Sequence, residues 1–143
     1  MMNWSINLTL ALLLSACGWL VSLYFLMVYR RRISHKTWWM PSPIRISGPA
    51  CTDIVDSRFG RILKQPNAYW GLWYYGLLIT FFLGVRFFSF PLNNILIVIT
   101  GIALIFSLYL LYGLYSLKVL CRPCLTTHTI NIFLFIIILM RFI

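Results

Sequence analysis

Long apolar stretches alternate with short polar ones along the chain. Four of them, about Leu8 to Val28, Ala68 to Phe90, Ile95 to Leu117 and Leu125 to Met140, approach the roughly 20 apolar residues that a transmembrane helix needs. The pattern predicts an all-α integral membrane fold: a bundle of four transmembrane helices in a single membrane domain over residues 1–143. With their flanking turns the helices are expected at about 5–29, 67–90, 93–117 and 121–141, and residues 30–66 form the loop between the first two. Pro91-Leu92-Asn93-Asn94 reads as a turn, and the connection from Leu117 to Arg122 is short enough to make its two helices antiparallel neighbours.

The loop has its own pattern. Val28-Tyr29 followed by Arg30-Arg31-Arg32 places aromatic and cationic side chains at head-group level, where a span stops. Trp38-Trp39 reads as an interfacial anchor, and Pro41, Pro43 and Pro49 rule out regular helix around them. From Cys51 to Leu63 the period changes: Cys51, Val55, Phe59 and Ile62 recur at helical spacing, while Asp53, Asp56, Arg58, Arg61 and Lys64 lie off that stripe. A short amphipathic helix is expected there, lying in the interface or dipping partly into the bundle and turning Cys51 toward the membrane.

Composition supports a membrane protein, because 62% of residues are hydrophobic and only 10% charged, against about 25% charged in an ordinary soluble domain. The net charge of +10 raises nucleic acid as a partner. Such binding needs a soluble basic face or a recognisable motif, and neither is visible. Instead Arg30, Arg31, Arg32, Lys36, Arg45, Arg58, Arg61 and Lys64 all fall between the first two spans, the place for membrane lipid head groups. Leu14-Ser15-Ala16-Cys17 resembles a lipoprotein cleavage site, yet Met1 to Asn7 has no Lys or Arg, and cleavage before Cys17 would leave too little helix to span. The first helix is expected to be retained.

The sharpest local signal for chemistry is Cys121-Arg122-Pro123-Cys124 at the start of the fourth helix. Two cysteines so spaced can close a small disulfide, and the unpaired N–H groups and dipole of a helix's first turn favour the thiolate. Lys118 and Arg122 add positive charge, and Pro123 suits a first turn where its missing donor is not needed. At about 100° per residue, Cys121, Cys124, His128 and Asn131 share one stripe. Polar groups inside a bilayer are costly and usually face a site or the bundle interior, so the stripe points to a pocket below the cysteines. Plainer uses stay open: two buried structural cysteines, helix-to-helix hydrogen bonds from His128 and Asn131, or a zinc set of Cys51, Cys121, Cys124 and His128. The last suits closed zinc sites poorly, since His128 lies within the apolar span, and no metal is expected.

Taken together these residues resemble the vitamin K epoxide reductase family in its bacterial form, quinone-linked membrane thiol oxidoreductases that act in parallel with the DsbB type. The resemblance is carried by Ser22-Leu23-Tyr24 in the first helix, Cys51 followed by Val55, Ser57 and Gly60, then Pro66-Asn67-Ala68 with Gly71 and Tyr74-Tyr75, and Cys121-x-x-Cys124-Leu125-Thr126-Thr127. It implies that Cys124 faces the quinone, ubiquinone or menaquinone, that Cys121 exchanges disulfides with the loop, and that Cys51 receives electrons from a thioredoxin-like or other dithiol protein. It further implies that Asn67 hydrogen-bonds a quinone oxygen, that His128 stands in the place of a ring-binding tyrosine, and that Phe59 and Val55 form an apolar lid. The same site would serve a quinone-epoxide reductase, and a redox-inactive scaffold subunit is a further alternative.

One departure bears on the relay. Members of the family commonly carry two loop cysteines, whereas Trp38 to Ala50 contains none. Cys17, in the first helix, is expected to be core packing. Three cysteines still suffice if Cys51–Cys121 is the resting disulfide and the partner's second thiol resolves its own mixed disulfide. Orientation is pulled two ways. Lys118 and Arg122 bring the cations at the cysteine end to ten, against Arg86 and Arg141 at the other, which by the positive-inside rule turns the cysteines to the cytoplasm. Disulfide-generating chemistry belongs outside the reducing cytosol, and on that ground the cysteine loops are expected to be extracytoplasmic in a bacterial inner membrane.

Overall fold

A computed structural model describes residues 4–89, 91 and 94–143. Four helices among them are long and apolar enough to cross a membrane: α1 (Trp4–Tyr29), α3 (Asn67–Phe88), α4 (Asn94–Ser116) and α5 (Arg122–Phe142). The loop after α1 holds a short helix α2 (Pro49–Asp53), continued by a 3-10 turn at Ile54–Asp56, and a small hairpin of β1 (Arg61–Ile62) and β2 (Gln65–Pro66). The expected four-helix membrane fold with a short loop helix is what forms. Of the turn expected at Pro91 to Asn94, Leu92 and Asn93 lie outside the described residues.

α1 packs along α3 and against α5, while α4 completes the bundle through α5. With no gain from hiding apolar groups that lipid already solvates, close approach of backbones matters most. At Gly18 of α1 a Cβ would sit 2.5 Å from ring atoms of Tyr75 on α3, so glycine is what lets these helices meet. α1 and α4 end alike. Arg31 and Lys118 adopt left-handed backbone with φ of 56° and 55°. The next amide bonds five residues back, Arg32 to Met27 and Val119 to Leu114, a Schellman closure with a cation where glycine is usual. Both cations stand at helix C-termini, where the helix dipole favours positive charge.

The loop is irregular yet tied down. Tyr24, fully buried, donates its hydroxyl to the His35 carbonyl at 2.6 Å and accepts from the Ile46 amide at 3.1 Å. Trp38 is exposed as an anchor would be, but Trp39 turns inward, edge-on to Tyr24 with ring centroids 5.9 Å apart. Helical structure in the loop is shorter than the apolar spacing from Cys51 to Leu63 suggests. After Asp56 the chain turns at Ser57 and pairs as the hairpin, because Gly60 nests against Ile54 O and Val55 Cα, where no side chain fits. Trp70 of α3 donates to Ile62 O at 3.0 Å, and Arg61 donates to both Asp56 and the Tyr29 hydroxyl at 2.6 Å, fastening the hairpin to α3 and to the end of α1.

Candidate functional site

The site lies where α2 lands on the start of α5. Pro49 opens α2 in its first turn, and Cys51 follows with 2% of its surface exposed, packed among Val21, Tyr24, Phe25 and Val55. Cys121 precedes α5 as its N-cap residue, in extended backbone (φ −108°, ψ 101°), and is fully buried. Cys51 and Cys121 are joined as a disulfide with Cα atoms 4.8 Å apart, well within bridging distance. One helical turn on, Cys124 keeps a free thiol, and its Sγ lies 2.6 Å from Cys121 Sγ. Three sulfurs are therefore contiguous, with Cys121 in the middle, bonded to Cys51 and in contact with Cys124.

Beneath Cys124 a cavity of about 420 Å³ opens between the loop cap and α1, α3, α4 and α5, and it includes Val55, Phe59, Asn67, Cys124, His128 and Asn131 in its walls. Its size falls within the range of small-molecule sites, about 300–1,000 Å³, and its lining is mostly apolar, as such sites usually are. Phe59 reaches across to α4. There its ring sits over Gly113, where an added Cβ would lie 2.6 Å from Phe59 Cγ, and packs on Tyr109 at a centroid distance of 5.2 Å. The Arg58 guanidinium covers the same ring from outside, 4.8 Å from its centroid.

Polar atoms at the cavity divide into two kinds. Asn67 donates through Nδ2 to Phe59 O at 2.6 Å, which holds the Phe59 segment in place, while its Oδ1 is buried with no partner among the described residues. His128 lies one turn past Cys124, 7% exposed, and its Nδ1 likewise has no partner among the described residues; the Tyr74 hydroxyl is the third such group on this wall. Buried polar groups are seldom left unpaired, so three around one cavity suit a ligand with polar ends. Asn131 is different. Its Oδ1 accepts from the Tyr75 hydroxyl at 2.7 Å and its Nδ2 donates to Ser107 Oγ at 2.7 Å, joining α3, α5 and α4.

The stripe of Cys121, Cys124, His128 and Asn131 thus splits. The first three stand at the sulfurs and the cavity, whereas Asn131 spends its amide on neighbouring helices. Cys17 is not core packing: it is exposed on the outer face of α1, since the inward face runs through Ala11, Ser15 and Ser22. Sequence reasoning gave no role to Tyr24, Tyr74 or Gly113. Tyr24 and Tyr74 stood among the residues carrying the family resemblance, but the glycine under the Phe59 ring sits in an apolar run without signal. Among the described residues no three His, Cys, Asp or Glu side chains converge as a metal set.

The model of the vitamin K epoxide reductase family matches residues 9–139. No curated protein and no solved structure gives a match.

Proposed function

The chain belongs to the vitamin K epoxide reductase family of membrane thiol–disulfide oxidoreductases, and from that premise we propose that it carries electrons from a thioredoxin-like or other dithiol protein to a membrane quinone. The chain acts as one membrane domain in a bacterial inner membrane, with its cysteine loops extracytoplasmic, and so supports disulfide formation. One observation carries this reading: three contiguous sulfurs, the last of them at an apolar cavity with unpartnered polar atoms in its walls.

The cycle starts from the Cys51–Cys121 disulfide. A partner thiolate attacks Cys51 Sγ, the Cys51–Cys121 bond breaks, and Cys121 leaves as a thiolate. The partner's second thiol then attacks its own sulfur in the mixed disulfide, so the partner departs oxidised and Cys51 is left as a thiol. Cys121 and Cys124 next close their disulfide, and the two electrons released, with two protons, convert bound quinone to hydroquinone. Cys51 then attacks Cys121, restoring the resting bond and freeing Cys124. Each exchange needs a thiolate next to a disulfide, and Cys121 has sulfur on both sides. In this scheme Val55 and Phe59 close the cavity over the ring, Asn67 holds that lid and reaches a ring oxygen through its remaining amide hydrogen, and His128 faces the other polar end.

Cys51→Ala separates the two halves of the cycle. Purified protein carrying it should lose oxidation of a dithiol protein while still reducing quinone with dithiothreitol, which can open a Cys121–Cys124 disulfide directly. Equal loss with both donors would remove Cys51 from the receiving position.

A further inference from the structure

A quinone ring offers two carbonyl oxygens, and both can only accept hydrogen bonds. The cavity beneath Cys124 has three side chains in its walls that can donate to such a ring: Asn67 and Tyr74 on α3, and His128 on α5. Asn67 and His128 account for the two ring oxygens in the cycle above. Tyr74 is left over. Its hydroxyl is buried and has no partner among the described residues. The adjacent Tyr75 shows the contrast, since its hydroxyl meets both Asn131 Oδ1 at 2.7 Å and Thr127 O at 3.0 Å. Of two neighbouring tyrosines, one therefore ties helices together and the other has its hydroxyl free for a ligand.

The wall beside Tyr74 leaves room for the edge of a ring. Tyr74 stands seven residues past Asn67, and at about 100° per residue the two share one face of α3. Gly71 lies between them and also borders the cavity, and a Cβ there would come 2.8 Å from Ser22 Oγ. That stretch of wall thus carries no side chain. A buried hydroxyl left without an acceptor is costly, and a site built to pair a polar group rejects an analogue that strands it. Water standing in for the missing acceptor is displaced at a loss when an apolar group takes its place.

We propose that Tyr74 selects a benzoquinone carrying an alkoxy oxygen on its ring, the ubiquinone class, over a naphthoquinone such as menaquinone, whose fused ring offers no third acceptor. The inference rests on the reading that the cavity takes a quinone, and it adds which class of ring is taken and which residue chooses it. The Tyr74 hydroxyl donates to the alkoxy oxygen, while Asn67 and His128 keep the two carbonyl oxygens.

Binding without turnover tests this, because differences in reduction potential between quinones then do not enter. The full chain in nanodiscs would be titrated, with no thiol donor present, with three oxidised quinones: decylubiquinone, decylplastoquinone, which has ring methyls in place of methoxy groups, and a menaquinone with a decyl tail. Quenching of tryptophan fluorescence reads occupancy, since Trp70 lines the cavity. Wild-type protein should bind decylubiquinone about tenfold more tightly than either of the others. Tyr74→Phe should weaken decylubiquinone by about tenfold and leave the other two within about twofold. The hydroxyl it removes has no partner among the described residues, so the thermal stability of the unliganded variant should match or exceed wild type. A loss shared equally by all three quinones would put the hydroxyl on a ring carbonyl and overturn the proposal. So would a preference for decylubiquinone that survives Tyr74→Phe, or wild-type protein that shows no preference. An unliganded Tyr74→Phe less stable than wild type would give the hydroxyl to the fold instead, which overturns it as well. Failure of all three quinones to bind would bring down the quinone reading itself, and this one with it.

Discussion

The two ends of the bundle are held by different means. At the end carrying the termini the buried core is Leu8, Ala11, Leu78, Phe82, Leu96, Leu134, Ile137 and Ile138, apolar side chains interlocked without a charge. At the cysteine end the core mixes Cys51, Cys121, Tyr24 and Met40 with a loop pinned by hydrogen bonds, and Arg31, Leu63, Lys64 and Lys118 take left-handed backbone. Such conformations cost about 1–3 kcal/mol each and persist where their surroundings enforce them. The first end asks mostly for shape and apolarity, which many sequences satisfy, with Ser89 closing α3 in left-handed backbone. The second asks for particular atoms in particular places, and it is where the sulfurs and the cavity lie. Substitution should therefore cost stability at one end and chemistry at the other.

The hardest test of that division is Cys124→Ala. The free thiol lies 2.6 Å from Cys121 Sγ at the cavity wall, and a small apolar replacement keeps most of its packing. Quinone reduction should drop by about three orders of magnitude or more with protein and small-molecule donors alike, while thermal unfolding in detergent moves little. A large loss of stability at unchanged turnover would assign the cysteine end to structure and erase the contrast.

The reverse is expected of Leu134→Ala on α5, fully buried among Leu8, Leu78 and Ile138. A soluble core would lose 2–5 kcal/mol by such a change. In a bilayer the transfer part is largely absent, because lipid solvates leucine as well as protein does. The expectation is about 2 kcal/mol, mostly from the cavity left behind, with KM for quinone and turnover per folded molecule unchanged. Denaturant titration alongside activity of the remaining folded fraction reads both.

The same division explains what the amino-acid sequence disclosed. Apolar length alone announces the four spans, because the bilayer sets the length of every helix that crosses it. Cys51, Cys121 and Cys124 were legible because few other residues can carry thiol chemistry, and Asn67, Val55 and Phe59 through the family resemblance. What stayed hidden depends on contacts far apart in the chain. The seat for Phe59 is Gly113, on another helix, and the Tyr24 hydroxyl gathers two loop positions, 35 and 46, that share no pattern. The helical period past Cys51 misled for the same reason: Gly60 against the backbone of Ile54 and Val55 turns the chain where local spacing continues the helix. Cys17 looked like core because cysteine usually is, but which face of a lipid-bathed helix points inward is decided by its neighbours.

Asn131 sits on the border between the two ends and gives the smallest and sharpest test. Its place in line with Cys124 and His128 makes it look like a ligand group, and it does line the cavity. Its amide is nonetheless engaged on both sides, by the Tyr75 hydroxyl and by Ser107 Oγ. Removing it leaves neither partner stranded. The Tyr75 hydroxyl still has Thr127 O at 3.0 Å, and a serine hydroxyl within a helix can turn to its own preceding carbonyl. Hydrogen bonds between membrane helices are worth about 0.6 kcal/mol on average and seldom more than about 1.7. Asn131→Ala should therefore cost about 1 kcal/mol of stability and shift KM for quinone less than about twofold, whereas His128→Ala should raise that KM more, because the His128 Nδ1 has no partner to keep among the described residues. Were Asn131→Ala to raise KM as much as His128→Ala while leaving stability alone, the amide would belong to the ligand, and the border between the two ends would lie at least one helical turn deeper along α5.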